Sequence, residues 1–309
     1  LSLIFNKAIF DSQGLDYPNE NWTEEDLLSA AKDLTYGEVN GLALPIKSPY
    51  WWFGIQGGFG GSIFDEDGNP TLNSDGSSEA MRWMLDLELE HGVVATGTKS
   101  EGMKNQFIES KAAMIFDGPW NWATYEASRL SIGQTTLPYV DSTGEKMSPL
   151  ITYKGWSVSK QSLHKVAASD LALWLTSEDI QKEFALETYT MPTHTGLSND
   201  SEVLNDEVIS GFLEQTRVGT PAPTTRAMSL VYTPLLTAFE QGYSGIASAS
   251  EALSGANQEL ISQIENLQTA EPVEQNKGYR TITVEVETTN SSNYYIYVDN
   301  EIHTEIIVS

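Results

Sequence analysis

The feature that most constrains the fold of this 309-residue chain is the alternation of strand-like and helix-like segments along most of its length. This alternation is typical of an α/β protein. The chain begins with strand-like sequence, and residues 112–116 (AAMIF) are too apolar for an exposed strand, which predicts a central one. A chain of this length has room for two or three folding units.

Helices are predicted where apolar residues recur on one face. Residues 23–26 (TEED) have the sequence of a capping box. Residues 77–91 form a second predicted helix, with Met81, Met84 and Leu85 inward and Gly92 as its stop. Met103 and Phe107 mark a third. Further helices are predicted over 165–176, 178–188 and 201–216. The last long helix is predicted from an apolar stripe through Leu253, Ala256, Leu260, Ile264 and Leu267. Further strands are predicted over 132–137 and 151–158.

The composition changes near the C-terminus. Residues 270–278 read as a polar linker. Alternating apolar residues over 282–286, and the segments 294–298 and 302–308, predict short strands. Because three short strands make a poor core, this tail is interpreted as the start of a separate β domain.

The charge of the chain restricts its partners. It has 43 acidic and 17 basic residues, a net charge of −26. Nucleic acids and anionic membranes both require basic surfaces, so neither is an expected partner. The sequence has no cysteine, which excludes disulfides and thiolate chemistry.

Catalytic and metal-binding patterns are weak in this sequence. None of the four histidines lies in a nucleophile-elbow or metalloprotease motif. Residues 65–69 (DEDGN) are similar to a calcium loop but lack its closing Glu, so they are interpreted as a hairpin turn. No phosphate-binding loop is present. We therefore expect no enzyme activity, and ligand binding that needs no metal, nucleotide or other cofactor.

Two aromatic clusters are more informative. Residues 50–53 (YWWF) follow Ser48-Pro49, and Trp120 and Trp122 follow Gly118-Pro119. Both clusters lie at turns, where α/β proteins present ligand-contacting groups. Flat aromatic faces suit the apolar faces of sugar rings, although ordinary core packing is the common role of Trp. Residues two apart cannot share one helical face, so Trp120 and Trp122 should not both be buried by one helix.

The segment 107–122 (FIESKAAMIFDGPWNW) resembles the signature of the maltose/maltodextrin-binding proteins of ABC importers. The similarity continues through residues 1–7, Ser48-Pro49-Tyr50, 137–138, 155–158, 221–223 and 228–232, and covers about residues 1–268. It implies a two-lobed α/β clamp of the periplasmic-binding-protein type II, with sugar held between the lobes.

The resemblance also implies a set of ligand-binding residues. Tyr50 and Trp120 match sugar-stacking aromatics, and Tyr232 falls where the family usually has a stacking Trp. Trp51 and Trp122 match neighbouring aromatics of the cleft wall. Ser48 stands where the best-known members carry an acid that binds sugar hydroxyls.

By the same resemblance the first lobe is largely missing and the chain is expected to be a fragment. Residues 1–148 and 201–268 would build the C-terminal lobe, 149–200 would be a remnant of the N-terminal lobe, and 269–309 the linker and β tail. The helices that contain Trp174 and Phe184 would then lack most of the lobe against which their apolar faces pack.

The expected function is binding of malto-oligosaccharides as the solute-binding component of an ABC sugar importer. The expected partner is the membrane permease, the expected state a monomer, and the expected location extracellular, on the cell surface or periplasmic. The alternative is a sugar-binding region of a secreted multidomain amylolytic enzyme. A free-standing enzyme is the third hypothesis.

Overall fold

A four-stranded sheet organises the computed structural model, which describes residues 1–269, 293–298 and 301–307. Its strand order is β2-β3-β1-β4. β3 runs parallel to β2 and antiparallel to β1, and β4 is antiparallel to β1. All six residues of β3 are buried, so the predicted central strand is confirmed. These strands are β1 (Ser2–Asn6), β2 (Asn40–Ala43), β3 (Ala112–Asp117) and β4 (Ile132–Thr135).

Six helices surround this sheet in the first half of the chain. The capping box at Thr23 is confirmed, and Met81, Met84 and Leu85 are buried as predicted. The second predicted helix begins two residues early because the Ser74 side chain caps it by accepting from the Ser77 amide. The helices are α1 (Lys7–Gln13), α2 (Glu24–Asp33), α3 (Pro49–Gln56), α4 (Asp75–Leu89), α5 (Ser100–Ile108) and α6 (Trp122–Ala127).

Residues 136–269 are mainly helical, with four two-residue strands. The strands are β5 (Tyr139–Val140), β6 (Glu145–Lys146), β7 (Leu150–Ile151) and β8 (Thr220–Pro221). The helices are α7 (Lys165–Leu175), α8 (Glu178–Thr188), α9 (Ser201–Asn205), α10 (Glu207–Arg217), α11 (Tyr232–Tyr243) and α12 (Ala249–Thr269). Short 3-10 helices cover Pro119–Asn121, Thr195–Asn199 and Arg226–Leu230.

Two sequence predictions for residues 136–269 are wrong. The predicted strand 151–158 is reduced to β7, whose two residues pair with β8, and residues 152–158 form no strand. The predicted single helix 201–216 is two helices. It breaks at Asp206, whose carboxylate accepts from the amides of Val208 and Ile209 and so begins a new helix.

The hydrophobic core is unevenly distributed. The main core lies between the sheet and the helices α2–α5, α11 and α12. Ala185, Leu197, Val203 and Ile209 form a separate small cluster. No residue of α7 is buried, and its Trp174 is 56 % exposed.

The C-terminal strands β9 (Asn293–Val298) and β10 (Glu301–Ile307) form an antiparallel pair at the positions predicted for two of the tail strands. The predicted linker 270–278 and the predicted strand 282–286 lie outside the described residues. Among the helices that are described, none combines the length and apolar character needed to cross a membrane.

Candidate functional site

The turn after β3 presents a tryptophan to solvent. Trp120 lies in the 3-10 helix Pro119–Asn121, and 53 % of its surface is exposed. Its ring lies directly over the backbone of Gly118, where a Cβ atom would come within 2.1 Å of the ring. Only glycine at position 118 therefore allows this ring position.

Helix α3 places a second aromatic residue beside the first. The half-buried ring of Tyr50 lies 6.4 Å from that of Trp120, with 64° between the ring planes. Trp51 packs edge-on against Tyr50 at 5.2 Å, and its Nε1 donates to the carbonyl of Phe116 at 2.8 Å. Trp51 is 9 % exposed. It therefore anchors α3 to β3 beneath Tyr50.

The first residue of α11 supplies the third aromatic residue. Tyr232 is 39 % exposed, and its ring lies 5.5 Å from Phe53 of α3. Trp52 and Phe239 make a second ring contact between the same helices at 6.0 Å. We call Tyr50, Trp120 and Tyr232 the aromatic surface.

The phenols of Tyr50 and Tyr232 are weaker acids than a free tyrosine. Burial raises the pKa of Tyr50 to about 12, and the nearby Asp117 and Tyr232 act in the same direction. Burial also raises the pKa of Tyr232. A free tyrosine is already protonated near neutral pH, and these shifts leave both hydroxyls protonated there and able to donate hydrogen bonds to a ligand.

Trp122 has a different environment from Trp120. It is 5 % exposed and packs perpendicular to Phe212 of α10 at 6.0 Å and against Tyr189 at 6.4 Å. The expectation that the two tryptophans would not both be buried is confirmed. Trp122 joins the turn to α10 and, like Trp51, is almost fully buried.

A cavity of about 270 Å³ is lined in part by Phe53 of α3. Its walls mix apolar and hydroxyl-bearing side chains. They include Phe53, Gln56, Ser62, Ser148, Leu150 and Thr220. Because Phe53 also contacts Tyr232, the cavity adjoins the aromatic surface.

Residues 65–69 form the hairpin turn expected from the sequence. The Asp65 amide donates to the carbonyl of Asn69 at 2.9 Å, and the Asn69 amide donates to the Asp65 carboxylate at 2.7 Å. Phe64 and Pro70 pair across the turn. Within the described part of the chain, no three His, Asp or Glu side chains are grouped as a metal site.

One residue of this region was missed by sequence reasoning. Asp117 ends β3, is 1 % exposed, and bonds to the turn that carries Trp120. Burial raises the pKa of Asp117. Hydrogen bonds from Tyr125, Asn121 and the Gly118 amide lower this pKa, but the effect of burial is larger. The sequence feature that could have identified Asp117 is its place at the end of an otherwise apolar strand, directly before Gly-Pro.

The fold and the aromatic surface together define a ligand-binding α/β protein. The sequence profile of the family described as bacterial extracellular solute-binding protein matches residues 1–182, more than half of the chain. The chain belongs to this family. Its members are solute-binding proteins and not enzymes, and they act outside the cytoplasm, as expected from the sequence.

Curated relatives agree with this assignment. The galactooligosaccharide-binding protein of Bacillus subtilis is 28 % identical over 273 residues, which are 85 % of this chain and 63 % of the relative. The maltodextrin-binding protein MdxE of the same organism is 24 % identical over 241 residues, 75 % of this chain and 57 % of the relative. The chain thus spans about three fifths of the length of these relatives.

Solved structures share the fold. The maltose/maltodextrin-binding domain MalE from Bdellovibrio bacteriovorus, bound to maltotriose, superposes with a TM-score of 0.76 and 25 % identity, covering 85 % of this chain and 70 % of that one. The Thermus thermophilus maltotriose-binding protein superposes with a TM-score of 0.74 and 23 % identity, over 85 % and 70 % of the two chains. The predicted α/β fold of the type II periplasmic sugar-binding proteins is confirmed at this level.

Proposed function

We propose that the full-length protein containing this chain binds malto-oligosaccharides and delivers them, as a monomer, to the permease of an ABC sugar importer. One observation carries the proposal. Tyr50 and Trp120 lie side by side and partly exposed at the end of β3, in a fold shared with a maltotriose-bound domain.

The chemistry of the aromatic surface supports a sugar ligand. Aromatic faces pack against the apolar C–H faces of pyranose rings, and neutral tyrosine hydroxyls donate to sugar oxygens. Sugars carry no charge, so their binding needs no basic residue in a chain with 26 net negative charges. We assign stacking to Tyr50, Trp120 and Tyr232. Trp51 supports the ring of Tyr50, and Trp122 attaches the turn to α10.

We further propose that residues 149–200 belong to a second lobe of the full-length protein, while 1–148 and 201–268 form the lobe carrying the aromatic surface. Two observations support this division. Leu171 and Trp174 of α7 are 53 % and 56 % exposed, which leaves an apolar helix face uncovered. The chain also matches only 57–63 % of its first two relatives.

A galacto-oligosaccharide is the second candidate ligand, because the relative with 28 % identity carries that name. The same aromatic surface would bind it. The alternative that this region serves a secreted amylolytic enzyme is not favoured, since the relatives reported above are binding proteins.

Removal of Trp120, the most exposed ring of the aromatic surface, tests the proposal. In the full-length protein, Trp120→Ala should weaken maltotriose binding by roughly 1–3 kcal/mol, the scale of losing an anchoring aromatic residue. Isothermal titration calorimetry with maltotriose, and in parallel with a galactotriose, measures the loss and identifies the preferred ligand.

Tyr36→Ala is the matched control. Tyr36 is 41 % exposed but precedes β2, at the opposite end of the parallel pair β2–β3 from Trp120. It should leave the affinity unchanged. Equal affinities of wild type and Trp120→Ala for both sugars would contradict the assignment of the aromatic surface.

A further inference from the structure

The carboxylate of Asp117 holds the turn that carries Trp120. Its Oδ1 accepts from the Gly118 amide at 2.8 Å, and its Oδ2 accepts from Asn121 Nδ2 at 2.9 Å. Oδ2 also accepts a short hydrogen bond from the Tyr125 hydroxyl. These donors lie two residues before Trp120, directly after it, and in α6. We call Asp117, Asn121 and Tyr125 the carboxylate clasp.

The clasp is fixed to the core at both ends. Asp117 is the last residue of the buried strand β3, and its partner in β1 is Ser2. Tyr125 is fully buried and packs edge-on against Phe107 of α5 at 5.2 Å. The turn between these two anchors is therefore held by three hydrogen bonds to one carboxylate.

A buried carboxylate is costly unless its oxygens are bonded. Desolvation is the largest influence on the pKa of Asp117, and it acts against the charged form. A neutral apolar side chain at the end of β3 would avoid this cost. The three donors offset this cost, together with the positive charge of the Leu1 amino group. Each of the three donors also orders the backbone around Trp120.

We propose that Asp117 is a positioning residue for ligand binding: it fixes residues 118–125 so that Trp120, half exposed, presents its ring beside Tyr50. This role rests on the proposed sugar-binding function. The affinity then depends on pre-organisation of the turn. Ordering a mobile ring on binding costs conformational free energy, and a ring that is already fixed does not incur this cost.

The test removes one donor without changing the shape of the core. Tyr125→Phe deletes the hydroxyl bonded to Asp117. Tyr17→Phe is the matched control, since it deletes a Tyr–Asp hydrogen bond of 2.5 Å to Asp11 at the surface. Full-length protein labelled with 5-fluorotryptophan gives one fluorine resonance for each Trp, and loss of a signal in Trp120→Phe assigns that of Trp120.

We expect Tyr125→Phe to shift or broaden the Trp120 resonance while the other Trp resonances away from the turn stay in place. Maltotriose affinity should fall roughly tenfold, the scale of one hydrogen bond to a charged group. Tyr17→Phe should change neither. Asn121→Ala, which removes the second side-chain donor, should act in the same direction and is available if Tyr125→Phe does not fold.

Three results decide the proposal. An unchanged Trp120 resonance with unchanged affinity overturns it. Displacement of all Trp resonances also overturns it, because the clasp would then support the fold in general. If the Trp120 resonance responds but wild-type protein binds neither maltotriose nor galactotriose, the clasp orders Trp120 and the proposed function is the part that fails.

Discussion

Gly118 controls the position of Trp120, the most exposed ring of the aromatic surface. Its backbone has φ −112° and ψ 173°, an extended conformation that alanine also adopts. A Cβ atom would nevertheless meet the Trp120 ring at 2.1 Å. Gly118→Ala thus changes the position of one side chain and leaves the backbone geometry acceptable.

We predict that Gly118→Ala in the full-length protein weakens maltotriose binding almost as much as Trp120→Ala, because the ring must rotate off the glycine. The free energy of unfolding should not fall. Alanine lowers the conformational entropy of the unfolded chain, which stabilises the folded state by about 0.4–1 kcal/mol. Calorimetry and urea denaturation measure the two quantities. Gly255→Ala, where a Cβ would meet no atom within 4 Å, should not alter binding. Equal affinity of Gly118→Ala and wild type would contradict this reading of the ring contact.

At this scale the sequence predicts part of the site. The spacing of Trp120 and Trp122 suffices to predict that one helix does not bury both, because helix periodicity is a local property. The support that Trp51 gives to Tyr50 depends on a carbonyl 65 residues away. The role of Asp117 likewise requires knowing that Tyr125 turns back towards β3, which no local pattern encodes.

Among the elements, helices were predicted better than strands. α7 and α8 lie within a residue of their predicted bounds, since their apolar periodicity is unbroken. The predicted strand 151–158 has suitable residues, yet a strand needs a neighbour along its whole length, and β8 offers two residues. The break at Asp206 was missed because the apolar periodicity continues across it while the side chain caps a new helix.

The cap at Asp206 gives a prediction for α10. Asp206→Ala should lower the free energy of unfolding by about 1 kcal/mol, because two amides at the start of α10 lose their acceptor. Urea denaturation followed by circular dichroism measures this change. Asp206→Asn retains a side-chain oxygen and should stay within a few tenths of a kcal/mol of wild type. A loss in Asp206→Asn as large as that in Asp206→Ala would show that charge, and not capping, is responsible.

At the scale of the whole molecule, stability should vary strongly along the chain. The sheet and the helices α2–α5, α11 and α12 share the main core, whereas α7 contributes no buried residue. Local opening is easiest where few apolar contacts hold an element. A binding clamp also gains affinity by enclosing its ligand between two walls, and under the proposed function the aromatic surface is one of these walls.

We therefore predict that, in the 309-residue chain, the amides of α7 and α8 exchange with deuterium much faster than those of α4 and β3. Hydrogen exchange followed by mass spectrometry compares these segments directly. The same measurement on the full-length protein is the control, and there α7 should gain protection because a second lobe covers Leu171 and Trp174. The 309-residue chain should also bind maltotriose weakly or not measurably by calorimetry. Equal protection of α7 and β3 together with micromolar affinity would show that this chain is a self-sufficient sugar-binding unit, and the proposed division at residues 149–200 would be wrong.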